Sequence, residues 1–286
     1  MKLLRLGPVG EERPVALHDG RYLDLTPVTA DLDPAFWVRG GLEEVREAVG
    51  AGRLDDLPGS DGLRVAAPVT RPGAVVCIGM NYAAHAAESG AAPPEHPVMF
   101  LKLPNTVVGP HDDVVIPRGS VKTDWEVELA VVIGRRLSYL DSPGQALDHV
   151  AGFAVANDLS ERAFQLEVSG GQWSKGKCAP GFTPLGPWLV TPDEVDHQAL
   201  GLRSRVNGEP RQDSTTADMV FDVAQLLHDL SQYLTLDPGD VVLTGTPAGV
   251  ALSGRFPYLR PGDVVELEID GLGSQRQVMQ QWREQG

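Results

Sequence analysis

The stretch Thr123-Asp124-Trp125-Glu126-Val127-Glu128-Leu129 places an acidic side chain at every second position and runs directly into Ala130-Val131-Val132-Ile133. Alternate residues of an extended strand share a face, so Asp124, Glu126 and Glu128 are expected on one side and Trp125, Val127 and Leu129 on the other. A half-buried strand with its charged face in water would satisfy the first half of this pattern. The second half is apolar on both faces, as in a strand covered from both sides, and it carries the acidic end into the domain with it. Two carboxylates two strand steps apart, about 6.6 Å, repel by ~0.6 kcal/mol in water and ~2.5 kcal/mol at an effective dielectric of roughly 20. A cation between them removes that penalty. Hard oxygen ligands without a nearby His or Cys cluster suit Mg²⁺, Mn²⁺ or Ca²⁺ better than Zn²⁺.

The remaining apolar runs support a strand-rich chain. Residues 1–68 are rich in Gly, Pro and Asp, with short strand-like pieces at Lys2–Leu6 and Arg21–Leu25 and a helical stretch at Leu42–Val49, which suggests a small N-terminal unit. A main domain over 69–286 opens with the apolar run Ala74–Ile78. Further strands are expected at Val98–Lys102, Glu126–Ile133, Gly152–Ala156, Trp188–Val190, Val241–Leu243 and Val264–Ile269. The strongest helical periodicity spans Ala217–Leu234, where Met219, Val223, Leu226, Leu230 and Tyr233 form one apolar stripe. Pro-Gly-Asp-Val-Val occurs twice, each time as a turn leading into a β-branched strand, which is too little for a repeat array. Short turns and few helices favour an α+β mixed sheet or roll over a doubly wound fold, and no Gly-x-Gly-x-x-Gly follows a strand.

Charge narrows the partners. With 24 Lys plus Arg against 39 Asp plus Glu, a net charge of −15 repels nucleic acid and anionic lipid. No apolar run approaches the roughly 18 residues of a membrane span, and the N-terminus reaches Gly, Pro and Glu before a signal core can form, so a soluble, cytoplasmic protein is expected. Cys77 and Cys178 make no disulfide framework or Cys-x-x-Cys motif and are expected to be free, buried thiols.

Other segments carry chemistry-bearing residues whose meaning stays open on pattern alone. Asp158 follows an apolar strand in Asn157-Asp158-Leu159-Ser160-Glu161-Arg162, where it can join Glu126 and Glu128 or serve as a plain helix cap. His85 and Glu88 are three apart on a helical turn, a base with its orienter or a surface ion pair. Trp173-Ser174-Lys175-Gly176-Lys177 offers positive charge in a Gly-bearing loop. Leu243-Thr244-Gly245-Thr246-Pro247-Ala248-Gly249 is a strand running into a Gly-rich turn whose amides and hydroxyls can bind an anion or only reverse the chain. No Gly-x-Ser-x-Gly elbow for a nucleophilic serine occurs.

Taken together, Gly79–Glu88, Asp124–Gly134, Asn157–Gln165, Lys175–Gly186 and Thr244–Val250 resemble the fumarylacetoacetate hydrolase family in the family's order, over about residues 70–272. The resemblance implies an α+β fold, a mixed-sheet β-roll of that family's type with a small N-terminal α/β appendage. It implies that Glu126, Glu128 and Asp158 hold Mg²⁺ or Mn²⁺, that His85 and Glu88 form a dyad on a lid segment, and that Lys177 is catalytic. Arg162, Gln165, Thr246 and Tyr82 would then contact a small-molecule 2-oxo acid substrate. A homodimer is implied as well. The activity implied is hydrolysis of a C–C bond in a 2,4-dioxo acid, with an enolate as the leaving fragment.

The same ligands would serve oxaloacetate decarboxylation, hydration, or isomerisation of the 2-hydroxyhepta-2,4-diene-1,7-dioate type, and a metal-binding scaffold without turnover is the reading from another class. Cys178 and Pro180 stand where some members carry Ser or Thr and then Asp. The opening Met1–Arg5, Gly119–Glu126 and Arg211–Ser214 are most similar to a subgroup that cleaves 2,4-diketo-3-deoxy sugar acids such as the fuconate derivative.

Overall fold

A computed structural model describes residues 1–284. Its centre is a ten-stranded mixed sheet whose middle strand is Val127–Ile133, buried at every position. That strand pairs antiparallel with Val150–Asn157 on one side and with Val241–Leu243 on the other. Val241–Leu243 pairs parallel with Val75–Gly79, and Val98–Lys102 closes that edge. A second sheet of five strands contains Glu209–Thr215, Gly201–Val206, Val264–Ile269, Gly273–Gln280 and Val114–Val115. The expected α+β class with a mixed sheet is the one observed.

The double coverage of the central strand explains its composition. Val127, Leu129, Val131 and Ile133 enter a core shared with Leu202, Val265 and Leu267 of the second sheet. Ala130 and Val132, on the other face, pack in a second core with Phe36, Trp37 and Val45 from the N-terminal helices Pro34–Val38 and Gly41–Gly50. Each large apolar side chain buried this way contributes about 1.5–3 kcal/mol. Small residues face the helices and larger ones face the second sheet, so the two gaps are filled without overpacking.

The strands of residues 1–68 extend the central sheet. Lys2–Leu6 pairs antiparallel with Leu189–Val190, and Arg13–His18 and Arg21–Asp24 continue outward from it. The N-terminal segment therefore shares both sheet and core with the rest of the chain.

Three local expectations are corrected. The helix read over Ala217–Leu234 is shorter, Val223–Ser231, because Asp222 caps it in a capping box with Gln225. Upstream, the backbone at Val220 and Phe221 is taken by Asn81, and Met219 bridges Tyr82, so 219–221 stays out of the helix. Tyr233 lies beyond the helix and is 78% exposed, so it is no part of the core stripe. The Trp173–Lys177 segment is not a loop but ends in a short helix, Ser174–Lys177. Both cysteines are free, and only Cys77 is buried.

Candidate active site

The acidic run does not form one continuous strand. Thr123–Asp124 pairs with Ser160–Glu161, and the chain breaks at Trp125 and Glu126 before re-entering the central sheet at Val127. Side chains satisfy the interrupted backbone: the Glu126 N–H donates to Asn157 Oδ1 at 3.1 Å and the Val127 N–H to Gln212 Oε1 at 3.0 Å. The break turns Asp124 away from the two glutamates. Its carboxylate accepts from the backbone N–H groups of Ala251 and Leu252 and from Arg162 Nε. Two of the three acids expected on one face remain together.

Sheet register supplies the third. Val127 lies opposite Asn157, so Asp158 falls beside Glu126 and its N–H donates to the Glu126 carbonyl at 3.0 Å. Asp158 is thus a strand-end residue and not a helix cap. Glu126, Glu128 and Asp158 are all buried and each offers one carboxylate oxygen, all within 4.8 Å of one another. Burial and the neighbouring Asp158 and Glu126 carboxylates push the Glu128 carboxyl well above its ordinary value. Burial pushes Glu126 the same way, but the Lys177 and Arg162 charges outweigh it and pull its carboxyl well below the usual range.

Positive groups surround the triad. Lys177 Nζ lies 2.6 Å from Glu126 Oε2 and 2.7 Å from Asp158 Oδ2. Gly176 makes this reach feasible: a Cβ there would stand 2.5 Å from the Gln165 Cβ and from the Glu161 carbonyl oxygen. Arg162 Nη2 contacts Glu126 Oε1 at 2.6 Å, and its Nη1 donates to Gln165 Oε1 at 2.9 Å. Lys102, from the edge strand, pairs with Asp158 and donates to the Leu159 and Phe182 carbonyls. With all four carboxyls ionised, Asp124, Glu126, Glu128 and Asp158 against Lys102, Arg162 and Lys177 leave this buried cluster one negative charge in excess. A divalent cation would reverse its sign. Three convergent carboxylates without His or Cys are the donor chemistry of Mg²⁺, Mn²⁺ or Ca²⁺.

The triad opens on a cavity of about 280 Å³ lined also by His85, Glu88, Gln165 and Thr246. His85 Nδ1 is 3.0 Å from Glu88 Oε1, which leaves Nε2 as the other functional nitrogen of the ring. Glu88 also accepts from the Gly249 N–H at 3.0 Å and from Arg255 at 2.9 Å. The Thr246 hydroxyl donates to the Val127 carbonyl and accepts from Gln212 Nε2. The Gly245 N–H donates to Glu128 Oε2 at 2.8 Å, so the turn after Leu243 cradles an anion of the protein itself.

Eight of the ten residues picked from the sequence line this cavity, and Asp158 completes the triad behind them. Tyr82 is the exception. It lines a separate cavity with Asp213, Ser214 and Asp218, because its backbone is bridged to Met219, and its hydroxyl is buried with no hydrogen-bond partner among the described residues. Sequence reasoning missed Lys102, Asn157, Gln212 and Arg255. The signal for Lys102 was a lone charge at the end of an otherwise apolar strand.

The profile described as fumarylacetoacetate (FAA) hydrolase C-terminal matches residues 74–280. The chain belongs to the fumarylacetoacetate hydrolase family. A Burkholderia multivorans protein that carries only a general hydrolase name is 49% identical over 97% of this chain and 98% of its own length. The family's fumarylacetoacetate hydrolase from Exiguobacterium antarcticum has the same fold, with a TM-score of 0.85 and 35% identity over 99% of this chain and all of that one (100%). A maleylpyruvate hydrolase from Sphingobium sp. SYK-6, solved with manganese(II) and pyruvate, aligns with a TM-score of 0.79 at 28% identity, covering 99% of this chain and 100% of that one.

Proposed function

We propose that this protein is a Mg²⁺- or Mn²⁺-dependent hydrolase of 2,4-dioxo acids, acylpyruvates or 2,4-diketo-3-deoxy sugar acids, cleaving the bond between C3 and C4. The observation that carries this reading is the buried Glu126, Glu128 and Asp158 triad, opening on the cavity that His85 and Glu88 also line. The manganese and pyruvate named with the Sphingobium maleylpyruvate hydrolase support the same ion class and product fragment here.

Glu126, Glu128 and Asp158 would hold the ion. Bound there, it would supply a Lewis acid for the 2-oxo carboxylate end of the substrate and draw negative charge from it. Arg162 has five N–H donors, of which Asp124, Gln165 and Glu126 take three, so two remain for the substrate carboxylate. Gln165 and Thr246 line the same cavity.

His85, oriented through Nδ1 by Glu88, takes a proton from water as the water oxygen adds to C4. The C3–C4 bond then breaks with its electron pair moving to C3, giving the carboxylic acid and the enolate of pyruvate. Lys177 offsets the charge on that fragment and delivers the proton that C3 takes up. The sum is one dioxo acid plus one water to one carboxylic acid plus one pyruvate.

The test is an ultraviolet assay of 2,4-dioxo acids, with oxaloacetate alongside, on chelator-stripped protein before and after adding Mg²⁺ or Mn²⁺. Loss of diketone absorbance with pyruvate formed, restored by metal, is the expected result. Turnover of oxaloacetate alone would make the protein a decarboxylase, and no turnover of either would overturn the enzymatic reading for these substrates.

A further inference from the structure

The charged residues account for one part of the cavity lining. Much of the rest is apolar: Ile78, Met80, Phe100, Leu166, Trp173 and Leu252. Trp173 meets Phe100 edge-on, with ring centroids 5.6 Å apart and an interplanar angle of 66°. The strand beneath makes room for it, because a Cβ at Gly79 would stand 2.4 Å from Trp173 Cζ3. Met80 holds a left-handed φ of 58°, a conformation unfavourable for a non-glycine residue that persists where the surrounding structure enforces it. Leu166 lies in the π-helical turn Ala163–Glu167, a backbone irregularity that often marks functional sites. Five chain segments thus contribute apolar lining whose only hydrogen-bonding side-chain group is the Trp173 indole, and Lys177 Nζ lies 5.1 Å from the Phe100 ring centroid, where this lining meets the charged cluster.

Charge on the lining points the same way. Arg162 and Lys177 are the cations that line the cavity, and both are bonded to the acidic cluster. Arg255, on the neighbouring loop, is engaged by Glu88. Glu88 itself lines the cavity and opposes a second anion. Of the other polar groups, Thr246 has its hydroxyl committed to Val127 and Gln212, which leaves the Gln165 amide nitrogen, Ser89 and His85 Nε2, the last assigned to water in the hydrolase reading. A second carboxylate would lose its hydration beside Glu88 without a free cation to replace it.

We propose that the site selects 2,4-dioxo acids whose acyl group is neutral and apolar, a short alkyl or aryl chain, over those that end in a second carboxylate or in several hydroxyls. The proposal rests on the hydrolase reading given above and narrows its substrate class. The polar end of the cavity takes the 2-oxo carboxylate, and the acyl chain lies against Trp173, Phe100 and Leu166.

The test compares kcat/KM of the Mg²⁺-loaded enzyme on 2,4-dioxoheptanoate and 2,4-dioxoheptanedioate, which differ at the far end of the acyl chain, and on 2,4-dioxohexanoate and its 5,6-dihydroxy analogue. The neutral alkyl compound of each pair is expected to be favoured by about tenfold or more. Leu166→Arg places a cation on a partly exposed part of the wall and is expected to narrow or reverse the first ratio. Preference for the diacid or the dihydroxy compound, or a first ratio that Leu166→Arg leaves unchanged, would overturn the proposal. Calorimetric binding of 2-oxoheptanoate and 2-oxoheptanedioate separates the two levels of inference. If neither dioxo acid is cleaved but the monoacid binds about tenfold tighter, the apolar wall stands and the hydrolase reading fails; equal or tighter binding of the diacid overturns the wall as well.

Discussion

Lys102 and Asp158 form an ion pair in which both side chains are completely shielded from solvent. Lys102 ends the edge strand Val98–Lys102 and Asp158 directly follows the strand Val150–Asn157, and Lys102 also donates to two backbone carbonyls. Truncating one partner of such a pair leaves the other charged and unsolvated. Lys102→Met is therefore expected to cost about 3–5 kcal/mol of stability. Urea denaturation in the presence of chelator checks this; a loss below about 1 kcal/mol would mean that Asp158 is balanced by Lys177 alone.

How legible the site was depends on which contacts are local in sequence. Strand periodicity located Val127–Ile133 and Val241–Leu243, and the three-residue spacing of His85 and Glu88 located their contact. What the sequence could not show is where a strand is interrupted. Alternation predicted that Asp124 would join Glu126 and Glu128, yet Asn157 and Gln212, 31 and 85 residues away from their backbone partners, stabilise a break that rotates Asp124 out of the group. Tyr82 was misplaced for a related reason. Its direction follows from a backbone bridge to Met219, and that same bridge shortened the helix that periodicity began at Ala217. Long-range side-chain bonds to backbone override local pattern at these points, and they cluster around the site.

Glu88 gives a signed pH dependence. Burial raises its carboxyl, but His85, the Gly249 N–H and Arg255 outweigh that and hold it below the ordinary value of 4.5. A carboxyl depressed in the folded state contributes stability that is fully present above its unfolded value and is lost as pH falls through the folded one. Glu88→Gln should therefore lower the melting temperature at pH 7, and the gap to the unmodified protein should close as pH falls below 4.5. Thermal melts across that range check the sign, and a gap independent of pH would show that the carboxylate charge is not what the three donors hold.

Gly176 positions Lys177 through space alone. Any side chain at 176 meets the Gln165 backbone nitrogen at 2.6 Å as well as the Glu161 carbonyl, neither of which is a flexible side-chain end. Gly176→Ala is expected to push the helix Ser174–Lys177 away from the 161–165 turn and to cut kcat/KM about 100-fold, the scale on which a 1 Å misplacement of a catalytic group acts. Steady-state kinetics with Mn²⁺ affinity measured in parallel distinguish the outcomes. Lost turnover with Mn²⁺ affinity kept within about tenfold assigns the effect to Lys177, whereas affinity lost in proportion assigns it to collapse of the triad.

Asp124 and Asp158 make opposite predictions from similar positions in the cluster. Both are fully buried, and both touch a cation that also binds Glu126. Asp158 offers an oxygen to the triad, while the Asp124 oxygens are spent on Arg162 and on three backbone N–H groups. Asp158→Asn should therefore weaken Mn²⁺ binding by more than about 100-fold, beyond the 10–100-fold typical of groups that only orient ligands. Asp124→Asn should weaken it no more than about tenfold, acting through Arg162, while lowering stability because its new amide N–H groups confront N–H donors. Titration of Mn²⁺ by electron paramagnetic resonance measures both without reference to turnover. Equal losses for the two variants would mean that the break before Val127 does not separate Asp124 from the ion, and that the acidic run acts as the single face its alternation describes.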